Sequence, residues 1–190
     1  MKKTFTIVIL LTASVLLFSC KSKQKDGPAT EKEVENLLKK SKGLNAGSGN
    51  YDVTTPDGWE RIDTTEMGMK LIYLLSPQAD ANDQFRENIN IVTERTGDMS
   101  LENYMALSKT NMKKMLANFN EVETSDQPIS GLPGRAMHYQ HEYNGIPLDV
   151  KAYVVIKNGI AYLINCTVPK GKLGDWMKPI NTVIESFQVN

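Results

Sequence analysis

RAMHYQHEYNGIPLDVKAYVVIKNGIAYLINCTV, residues 135–168, decides the fold. Asn144-Gly145 and Asn158-Gly159 cut it into three apolar-rich runs. An Asn-Gly pair between such runs is a strong hairpin signal, because both residues accept the left-handed backbone that a tight reverse turn needs. Strict alternation along Ile146 to Lys157 puts Ile146, Leu148, Val150, Ala152, Val154 and Ile156 on one face. A two-residue turn at Asn144-Gly145 sets Tyr143 opposite Ile146, Tyr139 opposite Val150 and Met137 opposite Ala152, apolar against apolar. At the second turn a two-residue loop would oppose Ile156 with Ala161 and Val150 with Thr167, mixing the faces. A three-residue loop, Lys157-Asn158-Gly159, opposes Ile156 with Ile160, Val154 with Tyr162, Ala152 with Ile164 and Val150 with Cys166. That register is the expected one.

The other face of the ribbon is split. Near the second turn it carries Ala136, Tyr153, Val155, Ala161 and Leu163. Toward the first turn it carries His138, Gln140, Glu142, Asp149, Lys151, Asn165 and Thr167. A sheet apolar on one whole face and half of the other calls for helices on both sides. The polar half reads either as a solvated sheet face or as a recognition surface with side chains at fixed spacing.

Lys2 and Lys3 precede an apolar run from Phe5 to Phe18 that ends at Ser19-Cys20. This is the pattern of a secretory leader, residues 1–19, and the run is too short to span a bilayer comfortably. Leu17-Phe18-Ser19-Cys20 resembles a bacterial lipobox, with Phe18 a departure from the usual residue there. Cys20 is then the expected site of lipidation and of membrane anchoring in the bacterial cell envelope, facing the periplasm. Cys166 would be the one remaining thiol, so no internal disulfide is available. With 22 basic and 22 acidic residues in all, losing Lys2 and Lys3 leaves a net charge near −2. That balance gives no footprint for nucleic acid.

Residues 20–50 read as a tether, within which Thr30 and Glu33 form a capping box for a short helix through Lys40. Residues 51–190 read as the globular domain. Tyr51 to Pro56 suggests a strand, Pro56-Asp57-Gly58 a turn, Met69 to Leu75 and Arg86 to Arg95 two more strands, with Ile89 and Ile91 inward. Ser100 caps a helix to about Asn118 whose stripe is Leu101, Tyr104, Met105, Met112, Met115, Leu116 and Phe119. Its methionines suit an adaptable groove, but the helical spacing reads first as core. Glu121 to Gln127 suggests a strand before the 128–134 turn region. The last helix runs from about Leu173 to Glu185, and Pro179 either kinks it or marks its start.

Pro56–Trp59, the Ser76-Pro77 stop, Asn88-Ile89-Asn90-Ile91, Ser100–Tyr104, the Asn158-Gly159 turn and Ile184–Phe187 occur in an order that resembles the PsbP-like superfamily, including DcrB-type bacterial lipoproteins. The resemblance covers about Tyr51 to Asn190. It implies an α+β fold, a largely antiparallel sheet with helices on both faces. It implies no single activity: related domains assist photosystem II or bind a small GTPase in nuclear import. The metal-dependent photosynthetic role needs residues not matched here.

No phosphate loop, nucleophile elbow, zincin helix or thiol pair is present. His138 and His141 fall on opposite faces of a strand and cannot share an ion. Cys166, mid-face, reads as an inert core thiol, and Trp59 and Trp176 as core anchors. The expectation is an envelope-anchored, non-catalytic binding or accessory module with no cofactor or metal. Its partners would be the membrane, through Cys20, and an envelope protein. The alternative is a small-ligand carrier or enzyme with a pocket between sheet and helix.

Overall fold

The computed structural model describes residues 49–66, 69–78, 80, 83 and 85–190. The expected leader, Cys20 and the expected Thr30–Lys40 helix lie outside the described residues. Among the described residues, nine strands follow one another as β1 (Tyr51–Asp52), β2 (Glu60–Glu66), β3 (Met69–Leu75), β4 (Asn88–Arg95), β5 (Ala117–Asp126), β6 (Gly134–Tyr143), β7 (Ile146–Lys157), β8 (Ile160–Pro169) and β9 (Gln188–Val189). Helix α1 (Leu101–Met115) lies between β4 and β5, and α2 (Met177–Ser186) between β8 and β9. The main sheet is antiparallel throughout, in the order β2-β3-β4-β8-β7-β6-β5, and β1 pairs separately with β9. Among the described residues no helix is long and apolar enough to cross a membrane.

The three central strands stand where the two Asn-Gly turns put them, but the second register differs from expectation. Lys157 pairs with Ile160, Val154 with Leu163, Ala152 with Asn165 and Val150 with Thr167. The loop is therefore two residues, with Asn158 at φ 53° and Gly159 at φ 71°, as Asn144 and Gly145 have φ 50° and 80°. Both are type I′ turns, whose twist matches that of the strands they join. The Thr96 and Gly97 amides donate to the Gly159 carbonyl at 2.8 and 3.2 Å, which clamps this turn to the end of β4. The three-residue reading assumed that one ribbon face must be uniformly apolar. Helices cover both faces here, so an apolar residue is equally welcome on either, and turn geometry sets the register. Changing a loop by one residue sends every β8 side chain to the opposite face.

On the α2 face, Ile72, Leu74, Ile89, Ile91, Ile164, Cys166, Tyr153 and Val155 pack with Ile180, Val183, Ile184 and Phe187. On the other face, Tyr104 and Leu107 of α1 meet Val154 and Ala161, and Met105 and Met112 flank Met137, Tyr139, Val150 and Ala152. Ser100 caps α1, its Oγ accepting from the Asn103 amide at 3.2 Å. The helix stops at Met115 rather than near Asn118, because Leu116 is extended and Asn118 takes φ 55° to start β5. Pro179 is the third residue of α2, where its missing N–H is not needed, and a 3₁₀ turn over Leu173–Trp176 leads into it. Trp59 meets Trp176 edge to face at 5.6 Å, both half-buried against the core.

Two strands had no sequence signal. β2 reads ERIDTTE, a charged edge strand held by Arg61 to Asp52 and Asp63 and by Arg86 to Glu60. β9 is two residues long, and the expected Tyr51–Pro56 strand shrinks to its partner, Tyr51–Asp52. Tyr51 is nonetheless a central core residue. Fully buried, it donates its hydroxyl to the Lys70 and Ile91 carbonyls at 2.8 and 3.0 Å and stands edge-on to Tyr162. Gly49 is buried just before it, and a Cβ there would sit 2.5 Å from the Tyr162 ring. A chain beginning at Gly49 should melt within a few degrees of the chain beginning at Cys20. Beginning at Thr54 removes a buried aromatic and should cost at least about 3 kcal/mol in urea unfolding. Equal stability of the two chains would contradict this account of the amino-terminal boundary.

Candidate functional site

The polar ribbon face divides between the two sides of the sheet. Gln140 pairs with Asp149 and His138 with Lys151, and these four share the α2 side. Glu142 lies at the end of the same row and accepts from Asn118 Nδ2 at 3.0 Å. Asn165 and Thr167 do not join them. The two-residue turn places both on the α1 side, buried, where the Asn165 amide donates to Asn90 Oδ1 at 2.9 Å. Cys166 and Val168 take their places opposite Lys151 and Asp149.

The remaining row is bonded within itself. The Asp149 side chain is only 4% exposed. Its Oδ1 lies 2.8 Å from His138 Nε2 and accepts from Gln140 Nε2 at 3.0 Å, while Oδ2 accepts from the Gly171 amide at 2.6 Å. Burial alone would raise the Asp149 pKa; the hydrogen bonds from Gly171, His138 and Gln140 outweigh it and hold the carboxyl below its usual range. The Lys151 ammonium stands 3.8 Å from Glu123. Asp149 thus fastens the turn after β8, together with the Lys170 amide donating to the Pro147 carbonyl at 3.0 Å. That is a structural latch more than a free recognition surface.

His141 lies on the opposite face from His138, buried, and burial pushes its pKa down against the weaker pull of the Glu142 carbonyl. Among the described residues no cluster of His, Cys, Asp or Glu could hold a metal ion. The Cys166 thiol is fully buried and burial drives its pKa far up, so it stays a protonated core group.

The α1 side holds an open cleft whose cavity volume is about 60 Å³. Local sequence makes it. Tyr104, Leu107 and Asn111, three and four apart, are the buried stripe of α1. Beneath the helix the sheet presents the short side chains of Ala152 and Asn165, which leave the space unfilled. Met105, Met112 and Met137 form its walls, and Met115, expected in the packed stripe, is instead 62% exposed at its edge. The cleft also reaches Glu94, whose carboxylate accepts from the Tyr104 hydroxyl at 2.7 Å. Burial, then the Glu94 charge, push the Tyr104 pKa well above normal, so it remains a neutral donor. The Ser108 hydroxyl beside it opposes this weakly, and is buried without a partner at hydrogen-bonding geometry. An apolar cavity with a few convergent polar groups is the usual form of a small-molecule site. Methionine content was its only sequence signal. Asn111 and Glu94 could not be read as facing it without the tertiary packing.

In architecture the chain matches proteins of known structure. LpqN of Mycobacterium tuberculosis, described as involved in cell envelope biogenesis, aligns with TM-score 0.55 and 19% identity over 76% of this chain and 85% of its own. CyanoP, the cyanobacterial PsbP of Synechocystis sp. PCC 6803, aligns with TM-score 0.53 and 14% identity over 78% of this chain and 95% of its own. The fold is PsbP-like. By sequence, no family model and no curated protein matches. Identity at this level carries the PsbP-like architecture and not an activity.

The latch makes a measurable claim. Asp149→Ala strands three donors and should cost about 2 kcal/mol at pH 7, well beyond a surface substitution. Because the folded pKa lies below the ordinary 3.8, the stabilisation is complete above that value and is lost as pH falls through the depressed one. The gap between wild type and variant in urea unfolding should therefore narrow as pH falls through that depressed value. A cost within about 0.5 kcal/mol at pH 7 would return the row to a solvated face.

Proposed function

We propose that this protein is a lipid-anchored binding module of the bacterial cell envelope, without catalytic chemistry of its own, and that the cleft beneath α1 is its binding site. The observation that carries the reading is the open cleft walled by methionines, since flexible thioether side chains repack around different apolar shapes. The Glu94 carboxyl in it is engaged by Tyr104, which suits a binding role. In the polar row, His138, Gln140 and Asp149 serve the domain's own turn, while Glu142 holds Asn118 and Lys151 stands beside Glu123. Cys20, after Leu17-Phe18-Ser19, supports anchoring, and an envelope protein such as LpqN sharing the fold agrees with that address.

Two measurements test the reading. Cys20→Ala should move the protein from the membrane pellet to the soluble fraction; retention in the pellet would refute lipid anchoring. Native mass spectrometry of protein isolated from its own envelope should show a bound small molecule in wild type that is absent from Ala152→Leu, a substitution that fills the cleft floor. The same adducts in both proteins, or none in wild type, would overturn the cleft as the binding site.

A further inference from the structure

Resting on that assignment of the cleft, we infer that its ligand is a single uncharged, unbranched alkyl chain bearing a neutral polar end. Shape and charge each point there. Three of the side chains lining the cleft, Met105, Met112 and Met137, are long, unbranched and flexible; they stand beside Leu116, Val154 and Leu163 over a floor lowered by Ala152. Such walls follow the contour of a flexible chain. Of the two aromatic residues that line it, Tyr104 bonds to Glu94 and Tyr139 meets Phe119 at 5.5 Å with the rings tilted by 38°.

Charge narrows the class further. Among the described residues lining the cleft there is no Lys, Arg or His, and the one ionisable acid is Glu94, 4% exposed. An anionic headgroup drawn inside would be desolvated without a counter-ion and beside a carboxylate, which disfavours it. Glu94 is itself held by the Tyr104 hydroxyl at 2.7 Å, so it does not wait for a cationic guest. What remains to greet a ligand is neutral: the Asn111 carboxamide and the Ser108 hydroxyl, whose oxygen is buried without a partner at bonding geometry. A hydroxyl, ester or amide end matches these groups.

The probes are 1-octanol, octanoate and octylammonium, which share a chain and differ in charge. The protein is the full chain carrying Cys20→Ala, which removes any competing acyl group, with ¹³C-labelled methionine methyls. Octanol should shift the Met105, Met112, Met115 and Met137 methyls saturably and leave Met177, on the α2 side, unmoved. Octanoate and octylammonium should each need at least about tenfold more for the same shifts. Glu94→Gln, which can still accept from Tyr104, should narrow the gap for octanoate, and Ala152→Leu should abolish the octanol shifts. Should Ala152→Leu fail to fold, the wild-type probe series decides alone. Octanoate or octylammonium binding as tightly as octanol would overturn the ligand class while leaving the cleft as a binding site. Saturable shifts from none of the three, or equal shifts at Met177, would overturn both.

Discussion

The left-handed backbone at Asn158 and Gly159 is the constraint on which the rest of this structure depends. At φ 53° and 71° the pair closes a two-residue turn, and the loop length fixes which β8 side chains face which helix. At Gly159 the requirement is doubly strict, since a Cβ would also meet the Gly97 carbonyl oxygen at 3.0 Å, the neighbour whose amide anchors the turn. From that parity, Cys166 and Ile164 go to the α2 core and Asn165 and Thr167 go beneath α1. An asparagine and an alanine side by side under a helix cannot fill the space that leucines would. The cleft is thus a consequence of the turn, its floor lying on the two strands that the turn joins.

The same sheet has two quite different sides. The α2 side is closed by the chain's own ends: β1 and β9 pair, Tyr51 reaches through to the β3 and β4 backbone, and Tyr162 and Phe187 pack around it. This side is dense and aromatic, as a rigid foundation should be. The α1 side is walled by methionines and keeps a buried acid, two bonded asparagines and open volume. The aromatic core and the open volume thus lie on opposite sides of one sheet.

Much of this was legible in the sequence, for reasons that can be assigned. The Asn-Gly pairs gave three strands and the first register, and Ser100 with its apolar spacing gave α1, because these signals are local. The second register was misread because one ribbon face was required to be uniformly apolar, whereas with both faces covered the turn geometry decides. Asn165 and Thr167 therefore joined a polar surface on paper and left it in three dimensions. β2 escaped notice since an edge strand of ERIDTTE buries too little to alternate. The latch at Asp149 depends on the Gly171 amide, and contact across a loop leaves no periodic trace. Asn111 and Glu94 came together through packing of α1 on the sheet, which no single-chain pattern encodes.

The register of β7 against β8 is the claim from which the cleft, the latch and the core follow, and proton NMR reads it directly. In an antiparallel pair, Hα protons of alternate facing residues approach closely enough for strong Overhauser contacts. The account predicts such contacts between Val154 and Leu163 and between Ala152 and Asn165. Contacts from Val154 to Tyr162 and from Ala152 to Ile164 would instead mean a three-residue turn, with Asn165 and Thr167 back on the opposite face and no cleft beneath α1.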